Sequence, residues 1–264
     1  MSKRALLLLL TILIPVSFIG CGGGKDEDAL LDEEEETTTA AAAPAAAPAA
    51  AVAGSATVTG KVAFEGTAPS MVKLKMDADA FCKAAHAAPA YSEEVVVNAN
   101  NTLQWVLVYV KEGATGSFPP PATPVVIDQR GCQYHPHVFG IQAGQPLKIL
   151  NSDATLHNIH ALPKKNQEFN IGQPFKGMET VKKFENPEVA VKFKCDVHKW
   201  MGAYSGVFNH PFFAVTNDQG TFEIKNLPPG NYVIEAWHEK YGPQTQNVSV
   251  TGSESKTVDF SFKG

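Results

Sequence analysis

Cys195-Asp196-Val197-His198-Lys199-Trp200-Met201, read with His157-Asn158 upstream, is the stretch on which the reading of this chain turns. It places a thiol, an imidazole and a thioether in one short loop, and His157 brings a second imidazole from elsewhere. Two imidazoles and a thiolate in a plane, with a weak axial thioether, are the donor set of a copper site that passes single electrons. The soft thiolate holds copper in both oxidation states, and imidazole suits both. A distant thioether neither forces the square arrangement of Cu(II) nor blocks the low coordination of Cu(I), so few atoms move when the electron does.

The C-x-x-H-x-x-M spacing of Cys195, His198 and Met201 resembles the ligand loop of the cupredoxins, and most of all the short loop of amicyanin. Ala143-Gly144-Gln145-Pro146-Leu147-Lys148-Ile149-Leu150-Asn151, leading to His157-Asn158, is similar to the segment of plastocyanin-like proteins that carries the first copper histidine after a core strand. The resemblance spans residues 123–208. It implies a Greek-key β-sandwich with one type 1 copper, held by His157, Cys195, His198 and Met201. It also implies that Asn158 hydrogen-bonds the chain beside the cysteine, at Asp196, and ties the two ligand segments together. In that family electrons pass through the edge of the second histidine, which sets His198 near the surface, with Trp200 and residues near Val197 and Phe208 as a docking patch. His160 falls on the opposite face from His157 in an extended segment, so it is a surface or outer residue and the first substitute ligand. A similar sandwich holding another metal, or none, is the alternative.

Met1 to Gly20 has a basic start (Lys3, Arg4), an apolar run from Ala5 to Ile14 and small residues before Cys21. That is the pattern of a secretory leader, too short to span a membrane. Ile19-Gly20-Cys21 resembles a bacterial lipobox, with Phe18 where leucine is usual, and implies a lipid on Cys21. The protein is then expected on the periplasmic side of a membrane, and Gly22 favours the outer one. Ordinary secretion is the alternative. Residues 21–55 read as a tether, with an acidic block from Asp26 to Glu36 and an Ala/Pro run to Ala51 that bury too little to fold. The tether carries the charge imbalance: with Lys3, Arg4, Lys25 and the eight acids of 26–36 set aside, nineteen basic and nineteen acidic residues remain. A neutral folded part gives no reason to expect nucleic acid.

The chain has four cysteines. If Cys21 carries lipid and Cys195 binds copper, Cys82 and Cys132 are left as an even pair in an oxidising compartment, and a disulfide is expected. The rival is a second metal site from Cys82, His86, Cys132, His135 and His137, where His135-Pro136-His137 forms an H-x-H.

From Thr57 onward the pattern is all-β. Strands are expected over 58–64, 103–110, 125–128, 147–150, 189–193 and 204–208, with one short helix over 77–88. Ala214 to Ile224, with a turn at Asp218–Gly220, leads into Leu227-Pro228-Pro229-Gly230-Asn231-Tyr232. This resembles the signature of carboxypeptidase regulatory-like, transthyretin-related domains. The first-strand motif of that family, V-x-G-x-V, stands far away at Val58–Val62. The expected order is therefore an N-terminal β segment at 56–122 that joins residues 209–264 in one sandwich, with the cupredoxin module at 123–208 inserted. Two sequential domains are the simpler alternative.

These features favour a one-electron carrier whose partner is a redox protein such as a periplasmic cytochrome; eight lysines against five acids over 160–205 suit an acidic partner. A copper-storage lipoprotein needs the same ligands, but only five methionines occur and they are scattered. A metal-free binding module built on Trp237-His238-Glu239 and Tyr241 is a further alternative. No enzyme is expected: a multicopper oxidase needs several H-x-H pairs and histidines flanking the copper cysteine, whereas Cys195 lies between Lys194 and Asp196.

Overall fold

Some strands of this chain alternate buried and more exposed residues, as over 56–64, and others run apolar where both faces are covered, as over 107–110. A computed structural model describes residues 56–264; the leader, Cys21 and the tether lie outside the described residues. In chain order the elements begin with β1 (Ala56–Glu65), the single-turn helix α1 (Ala80–Ala84), β2 (Leu107–Glu112), β3 (Val125–Arg130), β4 (Gln133–His135) and β5 (Val138–Gln142). There follow β6 (Leu147–Asn151), β7 (His157–Leu162), β8 (Phe169–Gln173), β9 (Glu179–Lys182), β10 (Glu188–Lys194) and β11 (Gly202–Phe208). The chain ends with β12 (Phe213–Val215), β13 (Thr221–Leu227), β14 (Gly230–His238), β15 (Gly242–Val250), β16 (Ser255–Thr257) and β17 (Phe260–Lys263).

The fold is all-β, as expected, and among the described residues the strands form four sheets. In the first sandwich, β13-β1-β16, with β17 also on β1, encloses with β12-β2-β14-β15 a core that includes Val58, Val62, Val108, Ile224, Ile234 and Phe260. Both ends of the described chain build it: Val58 pairs with Ile224 in antiparallel register, and Val62 with Phe260 in parallel. In the second sandwich, β5-β11-β10-β7-β8 and β4-β3-β6-β9 enclose Ile127, Ile141, Ile149, Ile159 and Phe193.

The two sandwiches share a third apolar layer. On β2, Val108 and Val110 face the first core, while Leu107 and Tyr109 pack with Val138 and Phe208 of the second sandwich. That double burial explains the unbroken apolar run of β2. Gly140 on β5 and Gly206 on β11 are register partners, and both positions are too close to neighbours for a side chain. A Cβ at Gly140 would meet the Phe213 ring at 2.2 Å, and one at Gly206 would meet Leu107 at 2.6 Å. Phe208, expected at a surface patch, is instead buried in this layer.

Two expected elements are shorter than the pattern suggested. The helix over 77–88 is only Ala80–Ala84, because the chain must return so that Leu74 N–H reaches Ala90 O at 2.9 Å. The strand over 103–110 begins at Leu107, since Trp105 is left-handed at φ 65° and Leu103 bonds back to Val62.

Candidate metal centre

Strand register brings the candidate ligand segments together. Lys194 on β10 pairs with His160 on β7, so the chain leaving β10 passes Asn158 at once. Asn158 Oδ1 accepts the N–H of Asp196 at 2.6 Å and of Val197 at 3.3 Å, and the Cys195 thiol at 3.2 Å. The loop then closes on itself, with His198 N–H to Cys195 Sγ at 3.2 Å and Met201 N–H to His198 O at 2.9 Å. His157 Nδ1 lies 2.9 Å from His198 Nδ1, and Cys195 Sγ lies 3.9 Å from that same His198 nitrogen. Donor atoms of His157, Cys195 and His198 thus all fall within 4.8 Å of one another. Met201 is buried in the second core, and its backbone carbonyl accepts the N–H of Cys195 at 3.3 Å.

The outer nitrogens of both imidazoles meet carboxylates that sequence reasoning did not single out. His157 Nε2 is 2.9 Å from Asp153 Oδ2, and His198 Nε2 is 3.2 Å from Asp79 Oδ2. Asp153 is set by the turn before β7, where Asp153 N–H bonds Asn151 Oδ1 and Asn151 Nδ2 bonds Thr155 O. That Asn-x-Asp-x-x-x-His run was a readable local signal. Asp79 caps α1 by accepting Cys82 N–H at 2.9 Å, but nothing local announces its contact with a histidine 119 residues away. Tyr134 supports the histidine strand, its hydroxyl donating to Asn158 O at 2.6 Å. His160 is outside the centre, between Asp196 Oδ2 at 2.9 Å and Glu168 Oε1 at 2.6 Å.

His198 is not at the surface. It is 3% exposed, because the segment between β1 and β2 folds over the ligand loop. Asp79 and Cys82 of that cover rest on its Nε2 edge, and Trp200 packs beside it with ring centroids 5.0 Å apart. A Cys82–Cys132 disulfide fastens the cover to the turn between β3 and β4. The rival grouping of these cysteines with histidines does not assemble. His86 bonds Gly131 O, His135 bonds Arg130 O, and His137 lies between Gly202 O and Glu239. No metal-holding cluster among the described residues includes His86, His135 or His137. Trp237 packs on Tyr204, and His238 is buried against Tyr241 and Phe262, so the tail residues considered for binding mostly pack.

Burial and hydrogen bonding oppose one another at these donors. Burial pushes the Cys195 thiol up, but hydrogen bonds from His157 and from the Asn158, His198 and Val197 segments outweigh it, and the net shift is down. Burial pushes His157 down, yet Asp153 and Cys195 raise it overall. A thiol inclined to ionise beside two imidazoles whose inner nitrogens crowd at 2.9 Å is a set of donors facing one point. When each outer nitrogen donates to its carboxylate, both inner nitrogens present lone pairs, the tautomer a metal requires. This donor set fits copper.

The family model of the carboxypeptidase regulatory-like domain matches residues 207–263. No curated protein matches the sequence. Among solved structures the chain is similar to a copper-containing nitrite reductase from Thermus scotoductus, at 20% identity over 38% of this chain and 25% of that one, with a TM-score of 0.31. It thus spans about a quarter of that enzyme's length. It is also similar to a Cu(I) amicyanin variant, at 19% identity over 32% of this chain and 81% of that one, TM-score 0.29. A purple cupredoxin from Nitrosopumilus maritimus gives 22% identity over 31% and 97%, TM-score 0.28. Both families whose resemblance was drawn from the sequence are represented in these findings.

Proposed function

We propose that this chain is a type 1 copper protein that carries single electrons, in which His157, Cys195 and His198 would hold the metal and Met201 would be a weaker fourth donor. The observation that carries this reading is the convergence of two Nδ1 atoms and one Sγ, with both Nε2 atoms engaged by carboxylates. When bound, copper supplies the Cu(II)/Cu(I) couple and a strong thiolate-to-Cu(II) absorption. The protein's part is to hold the donors still. Asn158 locks the cysteine segment to the histidine strand, Asp153 and Asp79 fix the imidazole tautomers, and burial keeps water away. The chain performs no reaction of its own in this reading and passes electrons to a redox protein such as a periplasmic cytochrome. Lipid on Cys21 and the acidic tether would hold it at the periplasmic face of the outer membrane.

A second reading, a copper-holding protein without a redox partner, draws support from the cover over His198. The test is copper titration of the purified mature chain, followed by visible spectroscopy and voltammetry. One copper per chain, an intense visible band lost in Cys195→Ser, and a reversible couple are expected. A colourless Cu(II) complex would end the blue-copper reading, and copper that leaves on reduction would favour storage.

A further inference from the structure

The Cys82–Cys132 disulfide lies against the metal centre. Cys82 Sγ is 3.6 Å from His198 Nε2. Donor atoms of Asp79, Cys82 and His198 lie within 4.8 Å of one another, and so do those of Cys132, Asp153 and His157. Because the bridge joins the two groups, two sulfurs and two carboxylates gather on the outer side of the imidazole pair. The Nδ1 atoms and Cys195 occupy the inner side.

We propose that, once this bridge is reduced, Cys82 and Cys132, with Asp79 and Asp153 beside them, form a second site that takes Cu(I). Reduction breaks the S–S bond with two electrons and two protons from a dithiol, which itself becomes a disulfide. The two thiols formed then release their protons as two Cu–S bonds form. Thiolates select soft ions such as Cu(I). A tetrahedral ion with sulfur at ~2.3 Å needs the sulfurs about 3.8 Å apart. The Cα atoms are 5.6 Å apart, so side-chain rotation alone reaches that spacing. The backbone is held independently of the bridge. Asp79 accepts Cys82 N–H, and Asp153 accepts the N–H groups of Gly131 and Cys132, each at 2.8–2.9 Å. Each cysteine therefore keeps its carboxylate neighbour after reduction. A cavity of about 240 Å³, lined by Met76, Asp77, Cys82 and His86 among others, reaches the Cys82 end and gives an ion a way in.

The inference relies on the reading above only for the first copper, and the test separates the two. The mature chain is prepared as disulfide and as dithiol, told apart by intact mass, and each form is titrated with Cu(I) against bicinchoninate. One Cu(I) in the disulfide form and two in the dithiol form are expected. The doubly substituted Cys82→Ser, Cys132→Ser chain should bind one under the same reducing conditions. No gain on reduction, the same gain in the serine variant, or loss of the native near-UV spectrum on reduction would each overturn the site. A disulfide form that binds no copper would remove the function proposed above. The increment between the two forms would still decide this one.

Discussion

Asp79→Asn tests whether the carboxylate on His198 sets the properties of the centre. Asparagine is nearly isosteric and also caps helices, so the contact with Cys82 N–H and the fold are retained while the charge goes. The remaining effect falls on His198, whose Nε2 lies 3.2 Å from Asp79 Oδ2. Removing the carboxylate partner of a metal-bound histidine costs about 10–100-fold in metal affinity, or about 1.4–2.7 kcal/mol. The negative charge favours Cu(II) over Cu(I). If the whole loss falls on Cu(II), the reduction potential rises by about 60–120 mV, at about 59 mV per tenfold for one electron. The Asp79 side chain is 26% exposed, so solvent screening pulls the result toward the lower end. Redox titration followed at the visible band measures it. Asp77→Asn serves as the control, since that side chain is 81% exposed and pairs only with Lys83. A folded Asp79→Asn protein whose potential is unchanged, or lower, would refute the reasoning.

Further expectations address other links in the same chain of argument. Met201→Leu should keep copper and colour and raise the potential, because a lost donor destabilises Cu(II) more than Cu(I); loss of the visible band would reject Met201 as the weak ligand. Cys132→Ser should lower stability by about 4 kcal/mol in urea unfolding, from the chain entropy of a loop of separation 50. Gly140→Ala should cost about 1–3 kcal/mol by forcing Phe213 off β5, and an unchanged midpoint would show that the sandwiches do not press together there. For His137, burial pushes the imidazole down, but Glu239, Glu93 and the Gly202 carbonyl raise it overall. A raised folded-state value means the stabilisation is complete below the ordinary value of about 6.5 and is lost as pH rises through the folded one. Urea midpoints of the metal-free protein should therefore fall above that pH. Glu239→Gln should flatten the slope, and an equal slope in both proteins would exclude the pair as its source.

The β architecture and the candidate ligand set were legible in the chain, because both are written in short-range pattern. Cys195, His198 and Met201 sit in one loop whose spacing is readable, and the alternating residues of β1 and the tail around Asp218–Gly220 carry strand and turn chemistry in consecutive residues. Asp153 was legible in principle, four residues before His157. What surrounds that loop follows from long-range packing alone. Whether His198 meets solvent depends on where a segment more than a hundred residues upstream folds back, and neither Asp79 nor Cys82 carries a local mark of that contact. The burial of Phe208 likewise depends on two sheets meeting across Gly140 and Gly206, a fit of shapes between surfaces distant in sequence. Periodicity reports which face of an element is apolar; it does not report what covers that face, because covering is a property of long-range packing.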